Sequence, residues 1–263
     1  MHENNKFKIV SSKKTRYILP NMLTLVGVCL GISSIKFALD QNYSLAVIFV
    51  LFAALLDALD GRVARLIKGT SDFGKELDSL TDFVSFGIAP AFIIYFWALN
   101  EYGKIGWAIT LIYSVCCVLR LARFNLTKHD ENNSWKNNYF EGIPSPAGGV
   151  IILLPLIFEL SNFNINYDIK NFSPYLTIVV AFSLISKIPT FSLKKISISS
   201  KFTIFILFSF GITFVSLIFF TFKTLFILCF LYLLTIPVSS IMFIKLVKKN
   251  NISNHEDEHE DVL

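Results

Sequence analysis

The chain has 263 residues, 54% of them hydrophobic and 16% charged, with a mean hydropathy of +0.59 and a formal net charge of +5. Soluble domains carry about 25% charged residues; a single soluble core of this length is possible, but apolar runs approaching the ~20 residues that span a bilayer argue against it and point to a polytopic membrane protein. The basic residues are spread over many short loops, which argues against nucleic acid as a partner.

Residues 1–17 form a polar, basic amino-terminal segment. Eight apolar runs follow, at 18–39, 43–66, 78–98, 105–124, 146–161, 173–187, 202–221 and 224–245, judged against the ~20 residues a helix needs to cross a bilayer. The fifth and sixth are short. No small-residue cleavage site follows the first run, which reads as a retained helix. Placing the amino terminus in the cytoplasm and alternating leaves only Lys36, Lys104, Lys170 and Lys223 of the 24 basic residues outside. That bias matches the positive-inside rule and places both termini in the cytoplasm. The expected fold is therefore all-α, a membrane bundle of about eight helices. The acidic segment 247–263 reads as a solvated, disordered cytoplasmic tail.

Cys29, Cys116, Cys117 and Cys229 all lie in apolar runs without metal-ligand spacing and read as packing residues. The four histidines, His2, His129, His255 and His259, are remote in sequence from the cluster of acidic residues described next. A zinc site or a histidine base there is not expected.

The stretch LLDALDGRVARLIKGTSDFGKELDSLTDF, Leu55 to Phe83, places four aspartates between two apolar segments. Asp57, Asp60, Gly61 and Ala64 stand at offsets 0, 3, 4 and 7, one stripe of a helix with 3.6 residues per turn. Gly74, Asp78 and Asp82 stand at offsets 0, 4 and 8, a second stripe, with RLIKGTSDFG between them reading as a turn. Two antiparallel helices can then present two carboxylates each, with small residues leaving space beside them. Four clustered carboxylates repel unless a cation intervenes, and oxygen-only ligands suit magnesium, manganese or calcium. Four carboxylates can bridge two such ions, a common arrangement for pyrophosphate chemistry. The competing reading makes them helix caps or partners of Arg62, Arg65 and Lys75.

The string Asp57-x-x-Asp60-Gly61-x-x-Ala64-Arg65, eight residues, Gly74-x-x-x-Asp78-x-x-x-Asp82 resembles the signature of the CDP-alcohol phosphatidyltransferase family, with every motif position filled. The resemblance implies a six-helix catalytic core over 18–190, two added helices in 191–246, and a homodimer. It implies that a CDP-linked lipid, CDP-diacylglycerol, gives its phosphatidyl group to an alcohol while CMP leaves. Asp57, Asp60, Asp78 and Asp82 would bind two Mg2+ or Mn2+ ions, and Asp82 would also act as general base. Gly61, Ala64, Arg65 and Gly74 would line the CMP side. Asn21, in the opening ILPNMLTLVGVCLG with Thr24, would join them, with capping as the alternative.

VLRLARFN, YFEGIPSPAGG and SKIPTFSLKK resemble a bacterial branch of that family that uses L-serine. Arg120 and Arg123 would then hold the acceptor carboxylate, or serve only as positive-inside anchors. Ser145 and Glu141 are further candidates for serine contact. The enzyme would sit in a bacterial cytoplasmic membrane with its site on the cytoplasmic face. Glycerol 3-phosphate or inositol phosphate is the alternative acceptor, and a cation transporter is the alternative from a different class.

Overall fold

The computed structural model describes residues 18–67, 71–126, 139–163, 168–186, 189–191 and 200–260. Helix α1 (Ile18–Leu39) turns at Gln41, whose φ is +60°, and Asn42 caps α2 (Tyr43–Leu66) by accepting from the Leu45 N–H. The two helices form an antiparallel hairpin packed along its length. The buried side of α1 is a stripe of small residues, including Thr24, Gly27, Gly31 and Ser34. At Gly31 an added Cβ would lie 2.9 Å from the Ser85 backbone, so this glycine sets how closely α1 approaches the third span.

That third span begins with α3 (Asp72–Asp82), continues as a π-helical turn over Phe83–Ile88 and ends as α4 (Ala89–Trp97). It starts at residue 72 rather than 78. Apolarity alone misses the first turn, because its signal is the Ser71 cap accepting from the Gly74 N–H, followed by Asp72. The π turn has an identifiable cause. Pro90 has no N–H for the Phe86 carbonyl, and the Tyr113 hydroxyl donates to that carbonyl instead, at 2.9 Å. In a dry bundle interior such substitution is what makes an irregular turn tolerable.

A short turn at Leu99–Tyr102 leads into α5 (Gly103–Leu126). The fifth apolar run is broken into α6 (Ser145–Ile152) and α7 (Leu154–Leu160), with Pro155 at the start of α7. Proline there cannot complete the hydrogen bond of a continuous helix. Helix α8 (Ser173–Ile185) follows, and then α9 (Ser200–Phe219) and α10 (Thr221–Glu260). Phe226 of α10 packs on Phe158 of α7, ring centroids 5.0 Å apart.

The all-α expectation holds for the fold class, and one expectation, on the tail, is corrected. The sequence does not announce a small ribbon in which β1 (Tyr139–Glu141) pairs antiparallel with β2 (Pro189–Phe191), Glu141 opposite Pro189. Three-residue strands bounded by loop are too short to carry a periodic signal. The acidic tail continues α10 as far as Glu260, with no proline or glycine after Pro237 to stop it. Among the described residues five helices are long and apolar enough to cross a membrane: Ile18–Leu39, Tyr43–Leu66, Asp72–Trp97, Leu99–Leu126 and Thr221–Phe243. Ile169–Ile185 and Leu207–Phe219 are apolar but shorter.

Candidate active site

The end of α2 and the length of α3 carry the four aspartates, and the fold brings the two stripes to one place. Asp57, Asp60 and Asp78 each present a carboxylate oxygen, all within 4.8 Å of one another. Asp82 adjoins Asp57 and Asp78 one helical turn deeper. Among the described residues none of the four is in an ion pair. Lys75 pairs with Asp72 at 3.2 Å, and Arg65 lies along its own helix, donating from Nε to the Gly61 carbonyl at 3.0 Å. The alternative of simple surface salt bridges therefore has no support from Lys75 or Arg65.

Helix α1 supplies the next layer. Thr24, buried, donates to Asp60 Oδ2 at 2.7 Å, which orients a carboxylate that is itself only 4% exposed. The sequence marks Thr24 as a polar residue on α1 and offers no partner for it, because a contact across 36 positions has no local signature. Asn21 lies one turn earlier, with its Oδ1 3.1 Å from where a Gly74 Cβ would stand, and Ser71 Oγ is equally close. Gly74 thus makes room for Asn21 and for the cap of α3. Gly61 differs: an added Cβ there would meet nothing within 4 Å, so the α2 surface beside Asp57 and Asp60 is open. Ala64 is half-buried on the same helix.

On the other side, Asp82 connects to α5 and α6. Ser145 donates to Asp82 Oδ2 at 3.0 Å, and Arg120 Nη1 donates to Ser145 Oγ at 2.8 Å. Ser145 is completely buried and Arg120 is 8% exposed, its guanidinium lying 5.7 Å from the Phe124 ring centroid. Two buried polar atoms in this group have no partner, Asp82 Oδ1 and Arg120 Nε. Buried polar atoms in native proteins are nearly always satisfied, so each points to something that binds there.

Arg123 has a different place. Its Nη1 donates to the Ile185 carbonyl at 2.5 Å, and its Nη2 lies 3.3 Å from the carbonyls of Leu184 and Ser186. It closes the carboxyl end of α8, where free carbonyls favour a cation. The loop before α6 presses on the same carbonyls. Gly142, with φ +77°, leaves a Cβ position only 2.8 Å from the Leu184 oxygen. Replacing Arg123 by Ala is expected to lower thermal stability in detergent while leaving the KM for the acceptor unchanged. A large rise in that KM at unchanged stability would return Arg123 to the acceptor. Glu141 lies in β1, and its side chain is outside the described ones.

The donor set of Asp57, Asp60 and Asp78 is oxygen-only, which suits a hard divalent cation and not zinc. The clustered, ion-pair-free carboxylates and the unpartnered Asp82 Oδ1 fit such an ion.

Residues 17–185 match the family model for CDP-alcohol phosphatidyltransferases. The chain is 42% identical over 137 residues to the CDP-diacylglycerol–serine O-phosphatidyltransferase of Mycobacterium tuberculosis, covering 52% of this chain and 48% of the relative. The protein of the same name from Helicobacter pylori is 33% identical over 199 residues, covering 76% of this chain and 82% of the relative. The archaetidylserine synthase of Methanothermobacter thermautotrophicus is 38% identical over 144 residues, 53% of this chain and 58% of the relative. The chain spans about half the length of the mycobacterial relatives it matches.

Proposed function

From the premise that this chain belongs to the CDP-alcohol phosphatidyltransferase family, we propose that it transfers the phosphatidyl group of CDP-diacylglycerol to the hydroxyl of L-serine, giving phosphatidylserine and CMP. The observation that carries the reading is the meeting of three carboxylates within 4.8 Å beside the buried chain Asp82–Ser145–Arg120. Serine is supported as the acceptor by the relatives' names, which share it while their lipid part differs. It is supported also by Arg120, whose buried Nε–H has no partner and suits a carboxylate.

Asp57, Asp60, Asp78 and Asp82 would hold two divalent ions, Mg2+ or Mn2+. When bound, these would neutralise the pyrophosphate and the charge on departing CMP. Asp82 Oδ1 takes the proton of the serine hydroxyl as the new O–P bond forms and the bond from phosphorus to the CMP oxygen breaks. Arg120 orients the acceptor through its carboxylate. Gly61 and Ala64 leave the α2 surface open for the cytidine side, with Arg65, Asn21 and Gly74 at its edges. In this reading the protein has eight spans, both termini in the cytoplasm and its site at the cytoplasmic face of a bacterial inner membrane. The family match ends with α8, and α9 and α10 lie beyond it.

The test is an acceptor panel. Purified protein in detergent, with CDP-diacylglycerol and Mn2+, is offered serine, glycerol 3-phosphate or inositol phosphate. Serine-dependent release of CMP with formation of phosphatidylserine is the expected result. Labelled lipid from glycerol 3-phosphate and none from serine would refute the serine assignment.

A further inference from the structure

Ser145 is a candidate for acceptor contact by sequence, and the geometry points to another role. We infer that Ser145 is a positioning residue that relays the Arg120 charge to Asp82 while occupying only one of the two Asp82 oxygens. The inference rests on the active-site reading given above.

Ser145 is the first residue of α6 and stands between Pro144 and Pro146, which restrict the backbone on both sides. It is completely buried. Its one proton is committed to Asp82 Oδ2 at 3.0 Å, and its oxygen already accepts from Arg120 Nη1 at 2.8 Å. Little hydrogen-bonding capacity is left for a substrate.

The spacing explains why a hydroxyl stands there. An arginine in direct contact with an aspartate commonly takes both carboxylate oxygens in a fork. Such a pair would leave Asp82 with no free oxygen for a metal ion or a proton. With Ser145 between them, Asp82 Oδ2 is held, Oδ1 stays unpartnered, and the cation stands one hydroxyl away from the carboxylate. Arg120 likewise keeps Nε free. The two unpartnered atoms, one acceptor and one cationic donor, are thereby fixed relative to each other by two hydrogen bonds. The relay ties three elements, α3, α5 and α6, that are far apart in sequence.

The full chain in detergent is tested with three readouts. In Ser145→Ala, kcat is expected to fall about 10- to 100-fold, as is usual on losing a group that orients a metal ligand, with the KM for serine within twofold of wild type. The Mn2+ concentration that half-maximally stabilises the protein against heat should rise about 10-fold or more, since Asp82 is no longer held. Ser145→Thr should recover most of both. Alanine removes an atom from the packed site and threonine adds one, so activity that follows the hydroxyl cannot be ascribed to packing. Equal loss in both variants would overturn the relay. So would unchanged kinetics in Ser145→Ala, or a large rise in serine KM at wild-type kcat and wild-type Mn2+ stabilisation, which would put Ser145 on the acceptor. If wild-type protein releases CMP only with another acceptor, the serine assignment fails and the same comparison is made with that acceptor. If it releases none, the functional reading fails and the Mn2+ readout alone decides the relay.

Discussion

Asp82→Asn is expected to reduce CMP release by at least about 10²-fold, the lower end of what a positioned general base contributes. Asn keeps the shape of Asp and can still accept from Ser145. It loses the negative charge and the basic oxygen, and so removes the chemistry while disturbing the packing least. Asp82 Oδ1 is the atom at issue, because it is buried and unpartnered while Oδ2 is held by Ser145. The variant should remain in the membrane and elute as wild type, since the buried Phe86, four residues on from Asp82, and Tyr113 remain packed. Asp57→Ala and Asp78→Ala should be equally inactive, because each removes one oxygen donor from a cluster only 4.8 Å across. Near-wild-type turnover in purified Asp82→Asn would rule it out as base. CMP release surviving in both Asp78→Asn and Asp82→Asn would refute the catalytic reading and revive a transport role for the carboxylates.

Chelation carries the second large effect. EDTA is expected to stop the reaction completely, and Mg2+ or Mn2+ to restore it. The cause is electrostatic. Like charges 4 Å apart repel by about 4 kcal/mol at an effective dielectric of 20, and three or four gathered carboxylates multiply the term. No lysine or arginine among the described residues is in an ion pair with them. A bound cation should therefore also stabilise the fold, by about 2.7 kcal/mol at a hundred times its Kd. A thermal scan with Mn2+ reads this without any substrate. The midpoint should rise in wild type and much less in Asp57→Ala. Full activity after exhaustive chelation, with no Mn2+-dependent shift, would sink the metal site.

The helices were legible in the sequence to the extent that apolar length and spacing signal them. The bounds of α1 and α2 match the reading of 18–39 and 43–66, because each is a long apolar run closed by polar residues. The third span was read six residues short, since its first turn is polar and depends on the Ser71 cap. The break at Leu153 was missed although Pro155 marked it, because the flanking residues are uniformly apolar. The ribbon of β1 and β2 joins segments about 50 residues apart, a pairing that no local pattern announces.

At the site the division is sharper. Helical periodicity alone placed Asp57 with Asp60 and Asp78 with Asp82, because residues three or four apart must share a face. Mutual repulsion among carboxylates so placed calls for a cation. Arg120 and Arg123, three residues apart on one turn, looked equivalent in sequence. Only the tertiary structure separated them, turning Arg120 inward to Ser145 and Arg123 toward the carbonyls that end α8. It also assigned Thr24 to Asp60 and Ser145 to Asp82, across 36 and 63 positions. Sequence determines what a helix presents along its own faces. Which of those groups meet across helices depends on how closely the helices approach, and small residues such as Gly31 together with the proline-bearing irregular turns set that distance here.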